Sequence, residues 1–128
     1  MIVDTSALIA VFFREPGFED ILAKLASADT LAAGTPALSE TAIVLTARLG
    51  KDAGGLLDRF LREFGIEPIP FGDEHWRAAH DAYQRFGKGR HRARLNFGDC
   101  LSYATAALAR EPLLCVGDDF GKTDLQLA

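Results

Sequence analysis

The hydrophobic pattern of the chain alternates between short apolar runs and longer segments with helical spacing. Four short runs predict strands: Met1 to Asp4, Thr30 to Ala33, Ile66 to Ile69 and Leu113 to Val116. Between them, apolar residues recur with the spacing of amphipathic helices, first at Phe18, Ile21, Leu22 and Leu25. Strands that alternate with helices predict an α/β domain built on a parallel sheet.

Capping and breaking residues indicate where the predicted helices begin and end. Ser6 is suited to cap the first helix, and Asn96 is suited to cap the last one. Gly50 and Gly65 each follow an apolar stripe and predict the C-terminal end of a helix. The basic segment from Lys88 to Leu95, between two predicted helices, is expected to be a loop.

Composition is consistent with one domain that spans residues 1–128. Hydrophobic residues make up 48% of the chain, which is enough for a core, and we expect disorder only in a few C-terminal residues. The first residues do not resemble a signal peptide, and the apolar run from Ala7 to Phe13 is too short to span a bilayer. We therefore expect a cytoplasmic protein with no membrane contact, in which Cys100 and Cys115 are reduced core residues.

The distribution of charge points to a nucleic acid, although the net charge of −4 does not. No acidic residue lies between Asp81 and Asp99. That stretch contains His91 and five basic side chains that we predict to contact a nucleic-acid backbone: Arg85, Lys88, Arg90, Arg92 and Arg94. Gly87 and Gly89 are expected to keep it mobile. The plain alternative is a solvated loop with no ligand.

Five carboxylates occupy positions that a parallel sheet brings to one edge. Asp4 ends the first predicted strand, and Asp118 and Asp119 follow the fourth. Glu40 and Asp99 lie early in the helices next to the second and fourth strands. In open α/β sheets, ligands bind beyond the carboxyl ends of the strands, so we expect these acids to converge there.

Converging carboxylates repel one another unless a cation lies between them. Oxygen ligands favour Mg²⁺, with Mn²⁺ as the alternative, and such an ion activates water for phosphodiester hydrolysis. Taken singly, each acid also has an ordinary explanation as a helix cap, a first-turn acid or a turn former. The hydroxyls of Thr5 and Ser6 can bond the Asp4 carboxylate or cap the helix, and Asn96 can cap its helix, line the pocket, or do both.

Four motifs, in this order, resemble those of a known family. They are Met-Ile-Val-Asp-Thr-Ser-Ala-Leu at Asp4, Ser-Glu at Glu40, Leu-Asn-Phe-Gly-Asp-Cys at Asp99, and Val-Gly-Asp-Asp-Phe before Thr123-Asp124. In combination they resemble the acidic motifs of PIN-domain proteins, specifically the VapC-type toxin ribonucleases, over essentially the whole chain.

The resemblance implies a four- to five-stranded parallel sheet flanked by helices, and Mg²⁺-dependent cleavage of RNA. By resemblance, Asp4 and Asp99 are the principal metal ligands, Glu40 completes the acidic pocket, and Asp119 is the fourth acid, with Asp118 as the alternative. The resemblance also implies a small cognate antitoxin and a homodimer. The helices around Phe12, Phe18–Leu25 and Leu57–Phe64 carry enough large apolar side chains for a partner groove, unless all of them are core.

Two other functions compete with this hypothesis. A phosphatase for small phosphate esters usually has a second acid two residues after the first, where this chain has Ser6. A non-catalytic RNA- or protein-binding module has no need to hold four acids together. Metal-dependent loss of a labelled RNA separates the three.

Overall fold

A four-stranded sheet, in which all strands are parallel, forms the centre of the molecule in a computed structural model of residues 1–128. The strands are β1 (Ile2–Val3), β2 (Leu31–Gly34), β3 (Ile66–Ile69) and β4 (Leu113–Leu114), in the order β3-β2-β1-β4. The two central strands are β1 and β2. This arrangement confirms the predicted α/β class and the parallel sheet.

Six helices connect and flank the strands. They are α1 (Thr5–Phe12), α2 (Phe18–Ser27), α3 (Thr35–Leu49), α4 (Gly54–Phe64), α5 (Asp73–Phe86) and α6 (Phe97–Ala109), with a short 3-10 turn at Phe120–Lys122. Gly50 and Gly65 end α3 and α4 in left-handed conformations, and Asn96 caps α6, as predicted. No helix is long and apolar enough to cross a membrane.

The structure corrects three local predictions. The first helix is capped by Asp4 and not by Ser6, whose backbone N–H donates to the Asp4 carboxylate. The fourth strand ends at Leu114, two residues before the predicted end. The C-terminal residues are placed against β4, because the Leu113 amide donates to Gln126 and the Leu113 carbonyl accepts from Ala128.

The two faces of the sheet carry separate hydrophobic clusters. Ile2 points into the cluster formed with α5 and α6, and its neighbour Val3 points into the cluster formed with α1 and α2. Successive side chains of a strand face opposite sides of the sheet, so two buried residues of β1 serve both clusters. A third cluster joins α1, α3 and α4 through Ile9, Leu45 and Leu57. Helices therefore cover both faces and leave the ends of the strands open.

The apolar helix faces considered for a partner groove belong mainly to the core. The ring of Phe60 lies 4.8 Å from that of Phe12 and 4.6 Å from that of Phe64, measured between centroids. Leu25 and Leu57 are buried. The structure thus favours the alternative that these side chains stabilise the fold, because most of them are buried or partly buried where α1, α2 and α4 pack.

Candidate active site

An open cleft of about 310 Å³ lies where the chain leaves β1, β2 and β4. It brings together Asp4 after β1, Glu40 on α3 and Asp99 on α6, three of the predicted site residues. The complete lining is Asp4, Thr5, Ser6, Ile9, Glu15, Glu40, Val44, Arg48, Asn96, Gly98, Asp99 and Val116. The parallel sheet produces this convergence, because its strands end at one common edge.

Asp4 is buried and accepts three hydrogen bonds. Its Oδ2 accepts from the backbone N of Ser6 at 3.0 Å and from the Ser6 hydroxyl at 2.5 Å. Its Oδ1 accepts from the hydroxyl of Ser102 at 2.5 Å. Ser6 Oγ in turn accepts from the Val116 amide at 2.9 Å, just beyond β4. Asp4 is therefore both a helix cap and a fixed wall of the cleft, with a lone pair of Oδ1 still available.

The neighbouring hydroxyl of Thr5 does not take part in this network. It donates to the backbone oxygen of Ala37 at 3.1 Å and so connects α1 to α3. Of the two hydroxyls next to Asp4, only that of Ser6 bonds the carboxylate.

Asn96 and Asp99 form a reciprocal capping box at the start of α6. The Asn96 side-chain oxygen accepts from the Asp99 amide at 2.9 Å, and Asp99 Oδ2 accepts from the Asn96 amide at 3.0 Å. Asn96 both caps the helix and lines the cleft. Because Oδ2 of Asp99 accepts the hydrogen bond of the capping box, the other oxygen of this carboxylate, Oδ1, remains available to a ligand.

Glu40 reaches the cleft by lying over a glycine of α6. A side-chain carbon built on Gly98 would meet the Glu40 Oε2 atom at 3.0 Å and the Asn96 side-chain oxygen at 3.6 Å. A distance of 3.0 Å is tighter than ordinary van der Waals contact. The glycine next to Asp99 thus makes room for the second acidic side chain.

The three carboxylates lie within one another's electrostatic field. Burial raises the pKa of Glu40, and the negative charges of Asp4 and Asp99 raise it further. The pKa of Asp99 is raised by burial, then by Asp4 and Asp119, against the opposing hydrogen bond from Asn96. Negative charge therefore accumulates in a partly desolvated cleft, where a bound cation would relieve the repulsion.

Asp119 and Asp118, the two candidates for the fourth acid, differ in their surroundings. Asp119 is close enough to contribute to the raised pKa of Asp99. The Asp118 side chain is 88% exposed, and its carboxylate lies 3.5 Å from Lys122 Nζ. Asp119 is 53% exposed and lies 4.0 Å from the same amine. Neither residue lines the cleft itself, and the effect on Asp99 is the observation that favours Asp119.

Asp124, from the end of the fourth motif, is placed away from the cleft. Its carboxylate accepts from the Tyr103 hydroxyl at 2.6 Å and from Arg85 at 2.7 Å, and these bonds lower its pKa. It holds the C-terminal segment against α5 and α6. The later Thr-Asp pair of the motif is therefore structural here.

The donor set of the cleft fits a hard divalent cation held by few protein ligands. No three His, Cys, Asp or Glu side chains are arranged closely enough to hold a metal ion by themselves. Mg²⁺ usually retains several waters and binds through one or two carboxylates together with substrate phosphates. The available oxygens of Asp4 and Asp99 are of the kind that such an ion binds, and the role of these two residues as ligands stays a prediction.

The predicted RNA-binding segment does not line the cleft, and its first member has another role. Arg85 bonds Asp124 and Tyr103 and lies 3.4 Å from Asp81, so its guanidinium is engaged within the protein. The other four side chains are exposed: Lys88, Arg90, Arg92 and Arg94. The RNA-binding prediction now depends on these four.

The expected mobility of this loop is not supported by its packing. The Lys88 amide donates to Leu95 at 2.9 Å and the Leu95 amide to Phe86 at 3.0 Å, so both ends of the loop are joined. Gly87 is buried and has no room for a side chain against Tyr83. The loop is a closed, anchored structure that presents its basic side chains outward.

Sequence reasoning missed three residues that the cleft depends on. Ser102 follows Asp99 by three positions, a helical spacing that predicts a shared face. Arg48 follows Glu40 by eight positions on the same stripe of α3. Gly98 gave no signal, since its importance comes from the approach of Glu40 across the fold.

The sequence and the fold match one family in comparisons with known proteins. The PIN domain family matches residues 1–125. Ribonuclease VapC36 of Mycobacterium tuberculosis is 48% identical over 98% of this chain and 91% of its own length. In solved structures, VapC20 of M. tuberculosis, a toxin that cleaves the sarcin-ricin loop, has a TM-score of 0.79 at 18% identity, covering 99% of this chain and 97% of its own. VapBC2 of Rickettsia felis, solved on promoter DNA, has a TM-score of 0.77 at 18% identity, with coverage of 99% and 96%. The chain, with its acidic cleft at the strand ends, therefore belongs to the PIN-domain VapC ribonucleases.

Proposed function

We propose that this VapC ribonuclease cleaves RNA with Mg²⁺ bound in the acidic cleft, Mn²⁺ being the alternative. The observation that carries the proposal is the convergence of Asp4, Glu40 and Asp99 in one open cleft, where burial and mutual repulsion raise the pKa of two of them. A binding module without catalysis gains nothing from such a destabilising cluster. The phosphatase alternative loses support because the chain is a member of a ribonuclease family.

Each side chain of the cleft has a defined role in this proposal. Asp4 and Asp99 bind the ion, which when present neutralises phosphate charge and lowers the pKa of bound water. Ser6 and Ser102 hold the Asp4 carboxylate in place, and Asn96 does the same for Asp99. The raised pKa of Glu40 makes this carboxylate a better proton acceptor than an exposed glutamate.

We also propose that residues 1–128 act as one nuclease domain in the cytoplasm. Lys88, Arg90, Arg92 and Arg94 contact the RNA backbone beside the cleft, where their charge offsets that of the acids. Asp119 supplies the fourth acid.

We propose two protein partners. The first is a small cognate antitoxin, since a related structure is a VapBC assembly and a free cytoplasmic ribonuclease endangers its host. The second is another copy of this chain. Trp76, Tyr83 and Phe97 are 50%, 42% and 80% exposed, and the last two line an apolar groove of about 500 Å³ between α5 and α6. Such an exposed aromatic surface is typical of a protein interface.

The decisive experiment is cleavage of total RNA, with mapping of the cut ends, in Mg²⁺ and in chelator. We expect cleavage only with the metal, and a loss of at least about a hundredfold in Asp4→Asn and Asp99→Asn, because an amide lacks the charge that holds the ion. Arg59→Ala, which alters an exposed ion pair on α4, is the matched control and should cleave normally. Cleavage that persists in chelator, or an Asp99→Asn variant with wild-type activity at limiting Mg²⁺, would contradict the proposal.

A further inference from the structure

Arg48 is the one cationic side chain among the residues that line the acidic cleft. The other charged residues of the lining are Asp4, Glu15, Glu40 and Asp99. RNA is a polyanion, so a cleft with four carboxylates repels the parts of the strand that lie beyond a bound cation. Metal binding does not explain a guanidinium in this cleft, whereas binding of the strand does.

The position of Arg48 along α3 separates it from Glu40, the acid of the cleft that lies on the same helix. Glu40, Val44 and Arg48 occupy successive turns on one stripe of the helix, and all three line the cleft. Thr41 and Leu45, on the adjoining stripe, are buried. Eight residues at a rise of about 1.5 Å separate Glu40 from Arg48 by about 12 Å along the helix axis. Arg48 therefore lies in the same cleft as the acids but beyond their immediate contact.

The guanidinium of Arg48 is positioned by an aromatic ring and not by an acid. Its Cζ atom lies 4.8 Å from the centroid of Phe13, within the range of a cation–π contact. Arg48 is absent from the ion pairs of the structure, which involve other basic groups. The N–H donors of this exposed side chain are thus available to a ligand. A planar guanidinium with free donors is suited to bidentate binding of phosphate.

We propose that Arg48, oriented by Phe13, forms a subsite for a backbone phosphate of the RNA next to the acidic centre. The subsite serves the proposed ribonuclease activity and fixes the strand across the cleft. The competing explanation is structural: Arg48 lies in the last turn of α3, where a basic residue stabilises the helix dipole. That explanation predicts a change in stability and none in RNA binding.

The test compares Arg48→Ala, Arg48→Lys and the control Arg59→Ala with wild type. Arg59 is an exposed arginine on α4, so its substitution removes the same charge elsewhere. Binding of a single-stranded RNA oligonucleotide is measured in chelator over a range of salt, and cleavage of the same oligonucleotide is measured in Mg²⁺. For Arg48→Ala we expect binding weaker by about tenfold and a salt slope smaller by about 0.7, the value for one lost contact on a single strand. KM should rise by a similar factor with kcat within about twofold, and Arg48→Lys should recover part of the binding.

The two measurements separate failure of the subsite from failure of the proposed function. If Arg48→Ala binds RNA with the salt slope of wild type and of Arg59→Ala, the subsite is wrong even if wild type cleaves RNA. A fall in kcat without a change in KM also overturns it, because Arg48 would then act on the reacting atoms. If wild type fails to cleave in Mg²⁺ but Arg48→Ala still loses one phosphate contact, the subsite stands and the ribonuclease proposal fails.

Discussion

At the scale of single residues, Asp4 and Asp99 differ in how the fold holds their charge. Asp4 is 7% exposed and accepts three hydrogen bonds, two of them from serine hydroxyls. Asp99 accepts one from the Asn96 amide and carries a raised pKa. Hydrogen-bond donors stabilise the charge of Asp4, whereas burial and neighbouring negative charges make the charged form of Asp99 less stable.

This difference predicts opposite effects of two similar substitutions on stability. In chelator, Asp4→Asn should lower the free energy of unfolding by about 2 kcal/mol, because charge-assisted hydrogen bonds are lost. Asp99→Asn should raise it, since the amide oxygen can still accept from Asn96 while the repulsion disappears. Thermal melts of both variants beside wild type measure the effect. A lower melting temperature for Asp99→Asn would argue against a crowded acidic cleft.

The pH dependence of that difference follows from the raised pKa values. Glu40 and Asp99 have folded-state pKa values above the ordinary 4.5 and 3.8, so their contribution to stability is full below those values and is lost as pH rises through the folded pKa. In chelator, the stability advantage of Asp99→Asn over wild type should therefore be small near pH 4 and larger at pH 7. Added Mg²⁺ should reduce it at pH 7, and an advantage independent of pH would contradict this origin.

Gly98 provides a test of the placement of Glu40. Gly98→Ala should preserve the fold, because alanine favours a helix by up to about 1 kcal/mol. It should nevertheless reduce cleavage, though by less than Glu40→Gln does, because the new methyl group shifts the Glu40 carboxylate by a few tenths of an ångström and leaves its charge in place. Gly55→Ala on α4, where nothing lies within 4 Å, is the matched control and should retain full activity. Equal cleavage by both alanine variants would show that Glu40 needs no such room.

At the scale of elements, the start of α6 combines a helix cap with the proposed sites of metal binding and of RNA contact. The capping box fixes Asp99 on one side of the helix start, and the closed basic loop ends immediately before it. Because both ends of the loop are hydrogen-bonded, its backbone is anchored next to the start of α6 and carries the exposed arginines there. This geometry suits contacts that position a strand.

The basic loop should therefore govern RNA affinity more than chemistry. Replacing Arg90 and Arg92 with Ala should weaken binding of single-stranded RNA and reduce the salt slope by about 1.4, at about 0.7 for each lost contact. The value of kcat should change little, because neither side chain lines the cleft. The double variant Arg59→Ala with Arg62→Ala removes the same two charges from exposed positions on α4 and is the matched control. If the salt slope of RNA binding does not change, the loop is a solvated surface that does not contact RNA.

At the scale of the whole molecule, the exposed aromatic residues of α5 and α6 distinguish one surface from the rest. Phe97 is 80% exposed although it belongs to the motif that carries Asp99. If this surface joins two copies, the wild-type protein should have twice the mass of one chain in light scattering. The double variant Trp76→Ala with Phe97→Ala should be monomeric, whereas Leu56→Ala, an exposed leucine on α4, should remain dimeric. A wild-type monomer at all concentrations would exclude the homodimer.

The sequence by itself determined the elements and the acids of this protein. Apolar spacing and glycine caps located the C-terminal ends of α3 and α4 and both ends of β3, because these signals depend on neighbours along the chain. The position of Asp4 at a strand end, with Glu40 and Asp99 early in helices next to strands, predicted the convergence of the three acids, since a parallel sheet brings such positions to one edge.

Only the tertiary structure decided which other side chains contact the acids of the cleft. Ser102 and Gly98 matter because α6 passes beside Asp4 and Glu40, an approach that no local pattern encodes. Arg85 lies in the basic segment and Asp124 in the fourth acidic motif, and both segments predicted ligand binding. The two side chains instead bond each other across 39 positions of the chain. The sequence specifies local conformation and chemical type, whereas the contacts between distant segments decide whether a charge serves the site or the fold.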